Sequence, residues 1–270
     1  MVKVAILGSG NIGSSLISSA ISRGYEVIGT GRTDVTLRRV LELGAKATSN
    51  NQEAISTSDL ILISVKPQHF PDLVRGTTRN IWRDKVVVSV MAGVRLETLK
   101  RIMEGASVFR AMPNINATVK MSTTALTGDG RGKELVETFF KGLGSTYWIN
   151  EDFMDVWTAL IGSGPAFVSE IIDSLVLGAV ASGMPRELAY SAVLDMLEGT
   201  ARNLRSHKGH PAEVRDNVIT PAGTTIRGLK VMEEKGVKAA LIETVESASK
   251  RASELGRVID GRIKEDTERW

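Results

Sequence analysis

The sequence predicts an α/β protein in two domains, with a doubly wound parallel sheet in residues 1–150 and an all-helical domain in residues 151–270. Short apolar runs alternate with amphipathic stretches up to about residue 150, which is the pattern of strands joined by crossover helices. Two of these runs, Asp59–Val65 and Lys85–Val90, are apolar almost throughout, as expected of parallel strands covered on both faces. After Glu151 the apolar spacing becomes helical, and no further strand is predicted.

The composition narrows the class of protein. A chain of 270 residues with 42% hydrophobic and 24% charged residues has material for one or two well-buried cores. It contains no cysteine, which excludes disulfides and thiolate metal sites and fits a reducing compartment such as the cytoplasm. A net charge of +3 suits a phosphate-bearing ligand but is too small to indicate a nucleic-acid partner. No leader precedes the first strand and no apolar run approaches the ~20 residues that span a bilayer, so no membrane partner is expected.

A glycine-rich turn lies between the first strand and the first helix, in the motif KVAILGSGNIG. In a dinucleotide site Gly8 permits the tight turn, Gly10 admits a pyrophosphate, and Gly13 lets the helix pack on the strand. The helix start at Asn11 offers free N–H groups and a positive dipole end to the phosphates. The motif therefore predicts dinucleotide binding. The alternative is a glycine-rich turn that holds no ligand.

The end of the second strand, Tyr25–Thr30, indicates which dinucleotide binds. Sites selective for NAD usually carry Asp or Glu there, whose carboxylate accepts from the ribose 2′-hydroxyl. Here Arg32 and Thr33 follow, and an Arg fork with a Thr hydroxyl suits the 2′-phosphate that a carboxylate would repel. We therefore expect NADPH, with NADH as the alternative. Arg38 and Arg39 are equally consistent with a solvated helix face.

Further cofactor contacts are expected at the carboxyl ends of the buried strands, because open α/β sheets place their ligands there. Each predicted contact ends or follows a predicted strand: Val65, Lys66, Pro67, Ala92, Gly93 and Pro113. Of the three histidines only His69 follows such a strand end. No spacing of His with Asp or Glu indicates a metal site.

The helical domain carries two features of interest. The predicted helix Ala166–Gly183 is apolar nearly all round, so burial by a second subunit is favoured over exposure, and we expect a homodimer. The segment NVITPAGTT precedes another helix. Its Thr224 and Thr225 hydroxyls, with nearby N–H groups, would make an anion or carboxylate pocket that Gly223 opens to a ligand. An ordinary helix cap is an equal interpretation of the same residue types.

Together these motifs resemble those of the 1-pyrroline-5-carboxylate reductases, the last enzymes of proline biosynthesis, almost from end to end. The glycine loop is similar to the family's GxGNMG, with Ile12 in place of Met. The strand ends VKPQ, MAGV and MPN, the junction GSGPA and the loop PAGTT follow in the family's order. The resemblance implies a Rossmann domain and a helical dimerisation domain whose long helices interleave with a second subunit. It also implies that homodimers assemble further, into decamers, in many members.

The resemblance also implies roles for residues in the loop PAGTT. Thr225 would donate a hydrogen bond at the ring nitrogen of the substrate, 1-pyrroline-5-carboxylate. Loop amides around Gly223 and Thr224 would hold the substrate carboxylate, and Thr220 opens the same loop as a further substrate contact. The nicotinamide would lie near Ala92 and Pro113, and Lys66 and Pro67 would line the cleft.

Departures from the family pattern lie on the substrate side. Ile115 and Asn116 occupy the positions where the family usually has Thr-Pro. Ile219 replaces the family's usual Ser or Thr, and Ala222 replaces its usual Gly. The motifs therefore indicate an imine reductase more firmly than they indicate which cyclic imine is its substrate. One alternative is a β-hydroxyacid dehydrogenase, which would need a Lys on Ala166–Gly183, where none occurs. The other is a non-catalytic NADP-binding protein, which would have no reason to keep the 221–225 loop.

Overall fold

The apolar runs of the N-terminal half form one sheet in the computed structural model of the chain, which describes residues 2–207 and 209–268. Its eight strands are β1 Lys3–Leu7, β2 Glu26–Thr30, β3 Lys46–Thr48, β4 Leu60–Ile63, β5 Val86–Ser89, β6 Ser107–Met112, β7 Ser122–Gly128 and β8 Gly144–Trp148. They lie in the order β3-β2-β1-β4-β5-β6-β7-β8. β1 to β6 are parallel, and β7 runs antiparallel to β6 and parallel to β8. The predicted doubly wound sheet is confirmed.

Helices connect the strands and form most of the described chain after residue 163. They are α1 Asn11–Ser22, α2 Asp34–Glu42, α3 Asn51–Ser56, α4 Phe70–Arg75, α5 Leu96–Ile102, α6 Lys133–Lys141, α7 Met154–Trp157, α8 Gly164–Ala181, α9 Arg186–His207, α10 Pro211–Asn217, α11 Thr224–Glu234 and α12 Val237–Thr267. The sequence pattern missed β3 and α10, which are short and carry no apolar run. The helical spacing also predicts that the last helix covers Val237–Gly256, because a glycine is typical of a helix stop, but α12 continues to Thr267.

The central strands of the sheet are buried on both faces, and side chains that alternate along each strand enter two apolar layers. In β1, Val4 and Ile6 join one apolar layer while Ala5 and Leu7 join the other, and all four are fully buried. The compact unit around the sheet runs to Ser163 and resumes at Ser247. The C-terminal part of α12 enters the second layer through Ile263. The predicted boundary after residue 150 therefore falls inside this unit: residues 151–163 are helical as expected, yet they pack with the sheet.

In the second compact unit, Gly164–Glu246, the described residues form helices and the turns between them, with no strand. Its first helix, α8, buries only Val176, and its other large apolar side chains are left partly or largely exposed. The continuous helical run Glu151–Ala181 is long and apolar enough to cross a membrane by length and composition, with a mean hydropathy of 1.5 over its best window. The carboxylates of Glu170 and Asp173 nevertheless interrupt the apolar run within α8.

Candidate active site

Three glycines form the turn between β1 and α1, and a side chain would meet different surroundings at each of them. Gly8 has a φ of 93°, and a β-carbon there would lie 2.7 Å from Val65 Cγ1. A β-carbon on Gly13 would overlap the Gly8 carbonyl oxygen. A β-carbon on Gly10 would meet nothing within 4 Å. Gly8 and Gly13 thus allow α1 to pack on the sheet, whereas Gly10 faces open space that a ligand can enter.

The start of α1 is open toward the same space. Gly10 is its N-cap residue, and no side chain caps the helix. The first N–H groups of the helix, at Asn11, Ile12 and Gly13, therefore have no helical partner and point outward with the positive end of the helix dipole. The Ile12 side chain is half-buried against the first apolar layer of the sheet, and its backbone N–H lies at the open start of the helix. This is the geometry that binds phosphate.

A cavity of about 460 Å³ opens beside this turn, at the carboxyl ends of β1, β2 and β4. Because β1 lies between β2 and β4, this is the point where the strand order reverses, and open α/β sheets bind ligands there. The cavity is of the size that holds small molecules. Six residues expected from the sequence line it: Gly8, Gly10, Arg32, Thr33, Val65 and Lys66. Ser49 and Asn51, which follow the unpredicted strand β3, line it as well.

The rim beyond β2 carries the residues expected to choose the cofactor. Arg32 is exposed and makes no hydrogen bond or ion pair within the described ranges. The Thr33 hydroxyl caps α2 by accepting from the Thr36 N–H at 3.3 Å, so it is partly engaged. Thr30 is buried and its hydroxyl accepts from the Gly8 N–H at 3.2 Å, which ties the strand end to the glycine turn. The guanidinium of Arg32 is therefore the group most free to meet a phosphate.

One acidic group faces the same cavity. Asp72 lines it and receives a hydrogen bond from Arg75 at 2.7 Å. This bond is the main reason why the pKa of Asp72 lies below its usual value, and the charges of His69 and Arg32 act in the same direction. Asp72 thus stays ionised, and Arg75 offsets its charge.

The remaining expected cofactor residues lie outside this cavity. Ala92 and Gly93 follow β5, and Pro113 follows β6. Ala92 is exposed, Pro113 is buried, and Pro67 is half-buried. A β-carbon on Gly93, which has a φ of 79°, would lie 3.0 Å from the Cα of Gly256 in α12. Gly93 thus has a packing reason to be glycine, and its contact with cofactor remains a prediction.

The loop PAGTT forms a tight turn in the second compact unit. The Gly223 N–H donates to the Thr220 carbonyl at 3.0 Å across a turn with Pro221 in its second position and Ala222, at a φ of 58°, in its third. That third position favours glycine, so Ala222 is strained. A β-carbon on Gly223 would overlap the Thr220 hydroxyl, so a side chain at this position would force the Thr220 side chain to move.

The same turn leads into a helix whose N-terminus is free. Gly223 is the N-cap of α11, and no side chain caps the helix. Within the described residues the hydroxyls of Thr224 and Thr225 have no hydrogen-bond partner. The start of this 11-residue helix thus offers two hydroxyls and its first N–H groups, which are groups that can bind a carboxylate.

The doubly wound sheet, the glycine turn and the cationic rim define a dinucleotide-binding protein. Residues 3–93 match the family model described as "NADP oxidoreductase coenzyme F420-dependent", and residues 151–255 match "Pyrroline-5-carboxylate reductase dimerisation". A pyrroline-5-carboxylate reductase of Methanosarcina acetivorans is 34% identical over 94% of this chain and 98% of its own.

Solved structures agree with these matches. The 1-pyrroline-5-carboxylate reductase of Streptococcus pyogenes superimposes with a TM-score of 0.86 at 29% identity, over 94% of this chain and 98% of its own. A pyrroline carboxylate reductase of Plasmodium falciparum, solved with NADP bound, shares the fold with a TM-score of 0.84 at 24% identity over the same shares of the two chains. The chain belongs to the pyrroline-5-carboxylate reductase family, which confirms the resemblance inferred from its motifs.

Proposed function

We propose that this protein reduces the C=N bond of 1-pyrroline-5-carboxylate to L-proline with NADPH, as the last step of proline biosynthesis. The observation that carries the proposal is the 34% identity to an archaeal pyrroline-5-carboxylate reductase along 94% of this chain, which spans both compact units. The fold alone would leave the substrate open, because doubly wound sheets serve many reactions.

The choice of NADPH is supported by the cleft beside the glycine turn. Its walls leave room at Gly10 for a pyrophosphate, next to the uncapped start of α1. Arg32 stands free at the end of β2, where a site selective for NAD would carry a carboxylate. A guanidinium binds a 2′-phosphate by charge-assisted hydrogen bonds, so NADPH is the expected cofactor and NADH the weaker alternative.

The substrate is held, in this proposal, by the loop between α10 and α11. The Gly223 N–H already donates to Thr220, so the free groups are the N–H of Thr224 and the first N–H groups after it. These groups bind the substrate carboxylate. The Thr225 hydroxyl, which has no partner among the described residues, hydrogen-bonds the ring nitrogen and orients the imine.

The chemistry asks little more of the chain. NADPH, when bound, supplies the hydride for the imine carbon. The protein orients the two reactants and excludes water, and such positioning lowers barriers by on the order of 7–11 kcal/mol.

We also propose that the helical unit forms a homodimer, with assembly into a decamer as a further possibility to test. Support comes from the match of residues 151–255 to a dimerisation family and from the exposed apolar side chains of α8. Leu175 and Leu177, for example, are 44% and 47% exposed within one chain. A second subunit would remove this surface from water. Sedimentation or light scattering distinguishes the dimer from the decamer.

The experiment that tests the function follows NADPH absorbance with racemic 1-pyrroline-5-carboxylate, beside a parallel assay with NADH. Rapid oxidation of NADPH supports the reaction and the cofactor together. Oxidation of NADH alone supports the reaction and contradicts the role of Arg32. No oxidation of either cofactor contradicts the substrate, and binding of proline or NADPH then separates another imine reductase from a non-catalytic protein.

A further inference from the structure

The loop between β5 and α5, residues 91–95, carries Ala92, the exposed residue expected beside the nicotinamide. The loop leads into α5, a helix whose own residues provide no side-chain cap. Its first N–H groups, at Arg95 and Leu96, are nevertheless bound, and both acceptors come from distant parts of the chain. The position of the loop is therefore set by tertiary contacts.

Two carboxylates provide these contacts. Asp260, on α12, accepts from the Arg95 N–H at 3.0 Å. Glu151 accepts from the Leu96 N–H at 2.6 Å and from the Arg110 guanidinium at 2.8 Å. The Asp260 side chain is only 6% exposed and also pairs with Lys264 at 3.0 Å. Negative charge at a helix N-terminus is favourable, and it is more so where water is excluded.

Apolar packing holds the same loop from the same helix. Gly93 lies so close to α12 that a β-carbon on it would be 3.0 Å from the Gly256 Cα and 3.3 Å from the Ile259 side chain. Ile263, one turn further on, is buried in the apolar layer that contains Met91 and Val94. The close approach therefore requires glycine at position 93, where a side chain would press against the backbone of α12.

We infer that residues 256–267 of α12 are a positioning segment for the 91–95 loop, with Asp260 as its main positioning residue. The segment lies beyond residue 255, where the match to the dimerisation family ends. The inference rests on the proposed function, because it gives the loop its place beside the nicotinamide. Asp260 acts on the reaction through Arg95 and Ala92 and touches no reactant.

The test compares three variants of the full chain. Asp260→Ala removes the acceptor, and Asp260→Asn retains an oxygen for the Arg95 N–H. Arg251→Ala breaks an exposed ion pair with Glu254 on the same helix, away from the loop, and serves as the matched control. The readouts are kcat, KM for NADPH, and hydrogen exchange of the Arg95 and Leu96 amides.

For Asp260→Ala we expect kcat to fall by about tenfold or more, since small misplacements near a reacting centre are costly. KM for NADPH should stay within about threefold, because the cleft at β1, β2 and β4 is untouched. The two amides should exchange faster, and Asp260→Asn should recover most of kcat. Arg251→Ala should match the wild type in all three readouts.

A lower Tm with unchanged kcat and unchanged exchange at Arg95 would overturn the inference, since Asp260 would then only stabilise the fold. An equal loss of kcat in Arg251→Ala would also overturn it. If the wild type fails to reduce 1-pyrroline-5-carboxylate, the proposed function fails, whereas amide exchange in Asp260→Ala still decides whether Asp260 holds the loop.

Discussion

Replacing Gly10 by Ala should separate cofactor binding from folding at the glycine turn. Gly10 has φ −73° and ψ −161°, which an alanine adopts without strain, and its β-carbon would meet no protein atom within 4 Å. The free energy of unfolding should therefore stay the same or rise by about 0.4–1 kcal/mol, because alanine has less freedom in the unfolded chain. The new methyl would instead occupy the space through which a pyrophosphate approaches the first turn of α1.

The expected loss of affinity follows from the bonds made there. A hydrogen bond to a charged group contributes about 1.5–3 kcal/mol, so losing one weakens NADPH binding by roughly tenfold to a hundredfold. The assay is titration of NADPH fluorescence, combined with thermal unfolding of the free protein. The proline-forming rate at saturating NADPH provides a third reading.

Gly13→Ala is the matched control for Gly10→Ala. Its β-carbon would overlap the Gly8 carbonyl oxygen and lie 2.8 Å from the Ser64 hydroxyl. The Gly8 backbone cannot relieve the overlap by changing a rotamer, as a side chain can. This variant should therefore lose at least about 1–3 kcal/mol of stability. The reasoning is refuted if Gly10→Ala binds NADPH like the wild type, or if it unfolds as readily as Gly13→Ala.

Four further predictions follow from single residues. Arg32→Ala should weaken NADPH about tenfold and leave NADH unchanged, as measured by kcat/KM for each cofactor, because only NADPH carries the 2′-phosphate. Thr225→Ala should lower kcat by about tenfold to a hundredfold in the same assay, with a Tm close to the wild type. Ala222→Gly should stabilise the protein to urea by about 0.5–1 kcal/mol, since relief of roughly 1–2 kcal/mol of left-handed strain exceeds the added freedom of glycine in the unfolded chain. Asp260→Asn should lower Tm above about pH 5, and its difference from the wild type should shrink as the pH falls toward about 3.

The sign of the pH effect follows from the surroundings of Asp260. Burial raises the pKa of this carboxyl. The Arg95 N–H, the Thr98 hydroxyl and Lys264 together lower the pKa by more than burial raises it, so the net pKa lies below its usual value. A carboxylate with a lowered pKa in the folded state stabilises the protein above the pKa of the unfolded state, and that stability is lost as the pH falls through the folded pKa. If the difference in Tm between Asp260→Asn and the wild type grew as the pH fell, the lowered pKa of Asp260 would be contradicted.

Each of the other variants has its own contradicting result. Equal losses with NADPH and NADH in Arg32→Ala would mean that Arg32 does not meet the 2′-phosphate. Thr225→Ser is the control for Thr225→Ala because it keeps the hydroxyl, and wild-type kcat in the alanine variant would remove Thr225 from the site. A destabilised Ala222→Gly would show that the left-handed backbone at this position carries no strain.

The sequence by itself determined the features whose physical causes are local. The motif KVAILGSGNIG contains a whole strand, turn and helix start, so the steric role of each glycine could be inferred from spacing alone. Strands β4 and β5 are apolar apart from Ser89, which identifies a sheet buried on both faces. The loop PAGTT likewise places its turn and the start of α11 within a few residues.

The tertiary structure decided whatever depends on residues far apart in the chain. Strand β3 is only three residues long and forms because β2 offers it an edge, and this brings Ser49 and Asn51 to the cleft. Gly256 is a plausible helix end on local grounds, but α12 continues to Thr267, and its C-terminal part packs into the second apolar layer of the sheet through Ile263. The hydroxyl of Thr30 is turned inward to the Gly8 N–H by the pairing of β1 with β2. Spacing along the chain specifies the elements, whereas these roles arise only where packed elements bring distant groups within hydrogen-bond or van der Waals distance.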